Sequence, residues 1–218
     1  MLTTQPRSQR RHRLALVLGC ALLAVTTTLD GADWPQWRGP DGQGRADASK
    51  LPTEWSEVKN VSWRTELPGR GWSSPVILGN QVWVTAAHET VASEEKKKKR
   101  LKANTGSQPL TVLSEVRIHA LCVDKSSGKI VKDIELLKKE DPQWVHQTNS
   151  YASPTPVLDG ERVYVHFGPR GTVCLDTAGG ILWKNTEFDY NVIQGGASSP
   201  ILHGDLLIHV VIELGVFP

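Results

Sequence analysis

The feature that most constrains the fold is a hairpin pattern that occurs three times along the chain. Each copy reads as a short β-branched segment, a two-residue turn and a second such segment. The turns are Gly79-Asn80, Asp159-Gly160 and Gly204-Asp205, and these residue types tolerate the positive φ angles that two-residue hairpins require. A second pattern follows the first two copies. It is a strand that ends in Asp, a turn that contains Gly, and a further strand, and it begins at Cys122 and at Cys174.

Together the two patterns predict a repeated unit of four antiparallel strands. Pro156, which opens the second hairpin, and Pro200, which opens the third, are 44 residues apart. That spacing is typical of one four-stranded propeller blade. The sequence therefore predicts an all-β fold, a partial β-propeller with about two and a half antiparallel blades. Asp124 and Asp176 recur at one repeat position before a Gly, so they are predicted to form turns rather than a catalytic pair.

The N-terminus has the pattern of a secretory signal peptide, which we assign to residues 1–32. Four arginines precede an apolar run of about a dozen residues, Leu14–Val25, as in exported proteins. The run is shorter than the roughly 20 residues of a spanning helix. We therefore expect an exported protein, periplasmic or extracellular, without a transmembrane segment in the mature chain. Cys20 lies in a weak match to a lipoprotein box, but the apolar run continues past it, which favours export without a lipid anchor.

The predicted organisation of the mature chain is a lead-in at 33–62 followed by an incomplete propeller at 63–218. The predicted blades are listed here in chain order: blade 1 at about 72–137, blade 2 at about 152–188, and the start of blade 3 at about 197–218.

Blade 1 contains an insert at 89–115, which is predicted to be a solvated loop or a short helix. Its run Glu94–Arg100 is strongly charged. A nucleic-acid-binding patch is the more specific functional interpretation of this run. However, no aromatic residues are interleaved with the lysines of this run, as nucleic-acid binding would favour. The mature chain also carries 21 basic and 22 acidic residues. We therefore expect no nucleic-acid partner.

The repeat, with its Leu-Asp-x-x-Gly turn and following Trp, resembles the pyrroloquinoline-quinone-like (PQQ-like) β-propeller repeat. The segments Asp33–Pro40 and Gly69–Val76 resemble parts of exported bacterial proteins that carry this repeat. The sequence departs from the repeat at Lys132, where the outer Trp is expected, and at its end, where the pattern stops within a third blade. Closed propellers have 4–8 blades, so the chain reads as a truncated propeller.

The resemblance leaves two classes of function open, because the repeat serves enzymes and binding proteins alike. The favoured hypothesis is a non-catalytic binding or scaffold module for a protein or carbohydrate partner, with no cofactor. The alternative is the N-terminal fragment of a PQQ-dependent alcohol-type dehydrogenase, which would need PQQ and calcium. The resemblance implies for such enzymes a disulfide between adjacent cysteines, a Trp stacked on the quinone, and an Asp base beside calcium held by Glu and Asn.

The sequence lacks part of that enzyme pattern. Its three cysteines, Cys20, Cys122 and Cys174, are not adjacent. Trp63 and Trp183 occur at repeat positions, which favours a role in packing between blades over a role as a cofactor platform. We therefore predict no catalytic and no cofactor-binding residues.

No metal site is predicted either. The histidines of the mature chain show neither helical i, i+4 pairing nor a Cys-x-x-Cys partner, the spacings typical of zinc sites. They are His88, His119, His146, His166, His203 and His209.

Propeller geometry predicts where a ligand would bind. Loops that lead from the outer strand of one blade to the inner strand of the next open on one face. Here they are Gly69–Ser73, His146–Ser153 and Gln194–Ser198. Side chains in or beside these loops combine stacking surface with amide and guanidinium donors; the alternative is that they only pin the loops to the channel rim. The candidate ligand-face residues are Arg70, Trp72, Asn149, Tyr151 and Gln194.

The two mature cysteines are predicted to be buried free thiols. Cys122 and Cys174 occupy the same strand position in neighbouring units, and stacked sheets lie about 10 Å apart. A disulfide needs Cα atoms within roughly 7 Å. The repeat therefore argues against the bond that an exported location would otherwise favour.

Overall fold

The computed structural model describes residues 32–46, 51–102, 104, 106–188, 190–192 and 194–211. The predicted signal peptide, with Cys20, lies outside the described residues except for Ala32, and so does the end of the predicted third blade, 212–218. Strand and bridge residues make up 40% of the described residues and helix 6%, which confirms the all-β prediction. The sheets are antiparallel, and within the described ranges none closes on itself.

The strands in chain order are β1 (Val76–Leu78), β2 (Gln81–Val91), β3 (Leu110–Thr111), β4 (Leu113–Asp124), β5 (Ile130–Glu140), β6 (Val145–His146), β7 (Val157–Asp159), β8 (Arg162–His166), β9 (Thr172–Asp176), β10 (Ile181–Asn185), β11 (Ile201–His203) and β12 (Leu206–Ile208). One α-helix, α1 (Glu94–Leu101), and one 3-10 turn, Gly168–Arg170, complete the described elements. Neither of these two has the length and apolar character needed to cross a bilayer.

Two four-stranded antiparallel sheets account for most of the strands. The first has the order β1-β2-β4-β5 and the second the order β7-β8-β9-β10. Strands β11 and β12 form a hairpin, and β3 pairs with β6. Strand order thus follows chain order in both large sheets, as the repeated pattern predicts.

The two sheets have the same register. Trp83 pairs with Cys122 in the first sheet, and Tyr164 pairs with Cys174 in the second. Both cysteines are free and buried, which confirms the thiol prediction. The largest core cluster contains side chains from both sheets, so the sheets share one hydrophobic core.

The outer strands of the two sheets are also equivalent. Lys132 lies opposite Cys122 on β5, and Trp183 lies opposite Cys174 on β10. Lys132 therefore occupies the position that holds Trp in the second sheet. Trp183 lies beside Tyr164, with ring centroids 6.3 Å apart.

Asp124 and Asp176 form turns, as predicted. The Asp124 carboxylate accepts a hydrogen bond from the backbone N–H of Ser127 at 2.7 Å. The Asp176 carboxylate accepts one from the N–H of Gly180 at 2.8 Å. These are the contacts by which Asp stabilises a tight turn.

The insert contains the predicted short helix, but strands β2 and β4 reach further into it than the sequence indicates. They pair from Gln81 and Asp124 out to Val91 and Leu113. In chain order, helix α1 lies between these two strands. The hydroxyl of Ser93 caps the helix by accepting a hydrogen bond from the N–H of Lys96 at 3.3 Å.

The lead-in contacts the first strand of both sheets. Trp34 exchanges two backbone hydrogen bonds with Ile77 of β1, at 2.9 and 2.8 Å, and the N–H of Leu158 in β7 donates to the carbonyl of Pro35 at 2.7 Å. Further along, the indole N–H of Trp63 donates to the carbonyl of Lys125 at 2.7 Å. Trp63 therefore packs on the β4–β5 turn, in the packing role predicted for it.

Candidate functional site

The three loops predicted to share one face do meet. The N–H of Trp72 donates to the carbonyl of Ala152 at 3.1 Å, which joins the first loop to the second. The Asn149 amide donates from Nδ2 to the carbonyl of Gln194 at 2.7 Å, which joins the second loop to the third. The loops are thus one continuous surface.

This surface contains a groove of about 520 Å³. Two of the predicted residues, Trp72 and Asn149, line it. Its other lining residues come from the second and third loops, from the residues that lead into β1, β7 and β11, and from the lead-in. The full set is Trp37, Trp72, Ser74, Asn149, Ser153, Thr155, Ala197, Ser198 and Ser199.

Two tryptophans give the groove its apolar surface. The side chain of Trp72 is 57% exposed and that of Trp37 is 51% exposed, whereas large aromatic side chains are highly buried on average. The guanidinium of Arg70 lies 5.5 Å from the centre of the Trp72 ring, and that of Arg38 lies 5.2 Å from the Trp37 ring. Each such cation–π contact stabilises the packing of the guanidinium on an exposed indole by about 0.5–1 kcal/mol.

Arg70 is a positioning residue rather than part of the groove wall. Its Nη2 donates to the carbonyl of Gln147 at 2.6 Å, and its Nη1 lies 3.7 Å from the Glu89 carboxylate. Burial raises the pKa of Glu89, although the nearby Arg70 charge opposes that shift. The contacts with Gln147 and Glu89 therefore hold the guanidinium in place beside the Trp72 ring.

The polar lining is ordered by hydrogen bonds between repeat units. The hydroxyl of Thr155 accepts from the N–H of Ser74 at 3.0 Å, and the hydroxyl of Ser199 accepts from the N–H of Thr155 at 3.0 Å. The hydroxyl of Ser153 donates to Oδ1 of Asn149 at 2.5 Å. A row of hydroxyl and amide groups therefore lines the groove in fixed orientations.

Tyr151 differs from the other candidates, because its side chain is only 1% exposed. Its hydroxyl donates to the carbonyl of Gln143 at 2.7 Å, and the guanidinium of Arg170 lies 4.5 Å from its ring centre. Burial raises the pKa of Tyr151 to about 12. Tyr151 therefore pins its loop to the core and does not face a ligand.

Gln194 lines a second cavity of about 460 Å³, next to the groove. The buried wall of this cavity includes His166, whose ring stacks on His209 with centroids 4.0 Å apart. The Nδ1 atom of His166 is 2.8 Å from the hydroxyl of Thr172. Burial, and then the nearby His209, lower the pKa of His166 to about 3. His166 is therefore a neutral histidine at the end of strand β8.

Sequence reasoning missed Trp37, which lies in the lead-in and outside every repeat. Pairing of Trp34 with Ile77 fixes the lead-in beside the loops and so brings Trp37 to the groove. The only sequence signal was the Trp-Pro-Gln-Trp-Arg opening, Trp34–Arg38.

The groove does not fit PQQ with calcium. Its described lining residues include tryptophan and asparagine but no carboxylate, so neither the Asp base nor the Glu ligand implied for such enzymes is present there. Cys122 and Cys174 are buried within separate sheets and cannot form the disulfide between neighbouring residues.

No protein-family model matches the chain, and no curated protein matches it significantly.

Proposed function

We propose that this protein is an exported, non-catalytic binding module of the PQQ-like propeller class, and that its groove binds carbohydrate. The observation that carries the proposal is the pairing of two exposed indoles, Trp37 and Trp72, with an ordered row of hydroxyl and amide groups. The two equivalent four-stranded sheets support the propeller class, since one blade of that fold has the same strand order.

The chemistry of the groove matches that of a sugar ring. A pyranose has C–H bonds on its faces and hydroxyls around its rim, so it needs a flat apolar surface beside polar groups. Trp37 and Trp72 offer the flat surface. Thr155 and Ser199 accept backbone hydrogen bonds through their oxygens, and a hydroxyl that accepts still has its own hydrogen to donate. Both can therefore donate to a sugar oxygen without breaking the contact between units.

Carbohydrate fits better than protein as the ligand class. The volume of about 520 Å³ lies within the roughly 300–1,000 Å³ typical of small-ligand sites. A stable protein partner would need about 800 Å² of each surface, and six of the nine lining residues carry a hydroxyl or an amide, whereas the core of such interfaces is formed mainly by apolar side chains. Several sugar units in a row would fill the groove.

Isothermal titration calorimetry with soluble hexasaccharides tests the proposal. The probes are cellohexaose, maltohexaose and chitohexaose, which differ in linkage and in N-acetylation. We expect saturable binding of at least one probe. Trp72→Ala and Trp37→Ala should each weaken it at least about tenfold, because each removes about 1.4 kcal/mol or more of stacking and burial.

Trp55→Ala is the matched control, since Trp55 is 72% exposed and does not line the groove. Its affinity should equal that of the unmodified protein. Absence of binding to all three probes would reject the carbohydrate proposal. An equal loss in the Trp55→Ala variant would show that the groove is not where the sugar binds.

A further inference from the structure

A second cluster of polar side chains lies on one face of the first sheet. It consists of His88 on β2, His119 on β4 and Asp133 on β5. His119 pairs with Ala86 and Asp133 pairs with Leu121, so all three side chains are in phase on the same face of the pleat. One donor atom from each lies within 4.8 Å of the other two. None of the three lines the groove.

The three side chains are already in contact. The imidazole rings of His88 and His119 have centroids 4.3 Å apart. Nδ1 of His119 is 2.6 Å from Oδ1 of Asp133. The Nε2 atom of His88 is buried and has no hydrogen-bond partner within the described part of the chain. A buried polar atom without a partner is rare in folded proteins and can mark the site of an ion.

We propose that His88, His119 and Asp133 form a binding site for a divalent transition metal ion, with zinc as the best fit. Imidazole and carboxylate are the donors that zinc takes most often besides thiolate, and three protein ligands leave a fourth tetrahedral position for water. Donor atoms around tetrahedral zinc lie about 3.4 Å apart. No donor separation exceeds 4.8 Å, so the widest has to shorten by at most about 1.4 Å. The exposed Asp133 and the two imidazoles can supply this by side-chain rotation.

The surrounding charges are compatible with a cation. Nε2 of His119 lies 3.9 Å from the Glu135 carboxylate, which adds a second acidic group at the edge of the cluster. Arg117, which lies opposite His88 in the sheet, contacts Glu115 at 2.8 Å and Glu135 at 3.2 Å. Because Arg117 is paired twice, its charge is largely compensated.

Sequence patterns do not indicate this site, because its proposed ligands are not close along the chain. They lie on three strands and meet only through strand pairing. The spacings typical of zinc sites, i, i+4 and Cys-x-x-Cys, instead occur within one segment of the chain. The proposal thus departs from the expectation that the chain has no metal-binding residues.

Zinc titration of the full chain, purified without a polyhistidine tag, tests the proposal. Calorimetry with ZnCl₂ should give one site per chain. Substitution of CoCl₂ should give visible absorption bands with the intensity of four-coordinate cobalt. His88→Ala and His119→Ala should each raise the zinc Kd by about 100-fold or more, since loss of a mere outer-shell partner already costs 10–100-fold. Asp133→Asn should weaken binding by a smaller factor, because the amide oxygen can still coordinate.

His203→Ala is the control, since His203 lies in the separate β11–β12 hairpin and is exposed. Its zinc affinity should not change. Thermal unfolding in the presence of EDTA shows whether each variant still folds. If it does, and zinc binds as tightly as before, the assignment of ligands is wrong. Failure of the unmodified chain to bind zinc would overturn the proposal altogether.

Discussion

The backbone N–H of Ser74 donates a hydrogen bond to the hydroxyl of Thr155, 3.0 Å away. One unit further along, the N–H of Thr155 donates to the hydroxyl of Ser199, also at 3.0 Å. Each of these three residues precedes the proline that opens its hairpin. The same contact therefore links successive units, and it is the clearest sign that the units follow one another in a regular array.

Thr155→Val removes the hydroxyl that accepts this hydrogen bond. It removes no other contact of comparable strength among the described residues. Thr155 is 2% exposed and lies with Ser74 in a part-buried contact, so the N–H of Ser74 would lose its hydrogen-bond partner at a half-buried position. We expect the free energy of unfolding to fall by about 1–3 kcal/mol, measured by urea denaturation. Thr177→Val, the same change at a half-buried turn position, should stay within about 0.5 kcal/mol. Equal effects in the two variants would contradict a structural role for the Ser74–Thr155 bond.

The two buried thiols should react only when the protein unfolds. Burial raises the pKa of Cys122 to about 11 and also raises that of Cys174, so little thiolate exists at neutral pH. We expect iodoacetamide to label neither residue in the native protein and both in denaturant without reductant, as read by mass spectrometry. Recovery of a peptide that links Cys122 to Cys174 would mean that the strand register is wrong.

His166 makes stability depend on pH in a defined direction. Its pKa is about 3 in the folded protein and about 6.5 in the unfolded chain. The unfolded chain therefore binds a proton first as pH falls. The contribution of His166 to the free energy of unfolding is complete above about pH 6.5. Below that pH it declines by about 1.4 kcal/mol per pH unit.

His166→Gln should flatten that decline between about pH 6 and pH 4, since an amide does not titrate in this range. Urea unfolding at several pH values measures the difference between the two slopes. His203→Gln, at an exposed position, should keep the original slope. A His166→Gln variant with an unchanged slope would show that another group controls acid sensitivity.

Arg100 attaches helix α1 to the rest of the fold. Its Nη1 donates to the carbonyl of Leu113 at 2.7 Å, and its Nη2 donates to the carbonyls of Asp141 and Pro142. A helix of eight residues is only marginally stable alone. We therefore expect trypsin to cut first within 96–102, and Arg100→Lys, which preserves the cleavage site, to accelerate that cut about tenfold.

Lys98→Arg is the control, because it makes the reverse change in the same helix and should leave the rate unchanged. The time course can be followed by gel electrophoresis. Initial cleavage inside 157–165 instead would contradict both the docking of α1 and the assignment of β7 and β8.

The sequence predicted the sheets well because repeated turns are local signals. Asp124 and Asp176 specify their turns through contacts with residues three or four positions away, and the hairpins at Gly79 and Gly204 use positive φ angles of 55° and 56° that glycine adopts freely. By contrast, the extent of β2 and β4 into the insert depends on pairing between distant residues. No residue spacing in the sequence predicts that pairing.

The candidate site was predicted less completely, for the same reason. The repeat located the loops and so identified Trp72 and Asn149, but it could not show whether a side chain points outward or into the core. Tyr151 turned inward because its hydroxyl finds the carbonyl of Gln143. Trp37 and the proposed zinc ligands His88, His119 and Asp133 are brought into place by strand pairing, which sequence patterns within one segment cannot reveal.

Fluorine NMR of protein labelled with 5-fluorotryptophan tests carbohydrate binding in the groove most directly. The chain has eight tryptophans, whose resonances can be assigned by single Trp→Phe substitutions. On addition of cellohexaose, maltohexaose or chitohexaose, we predict saturable shifts of the Trp37 and Trp72 resonances. Those of Trp55, which is exposed elsewhere, and Trp83, which is 0% exposed, should stay in place. Unchanged Trp37 and Trp72 resonances with all three sugars, or shifts confined to other tryptophans, would contradict a carbohydrate-binding groove.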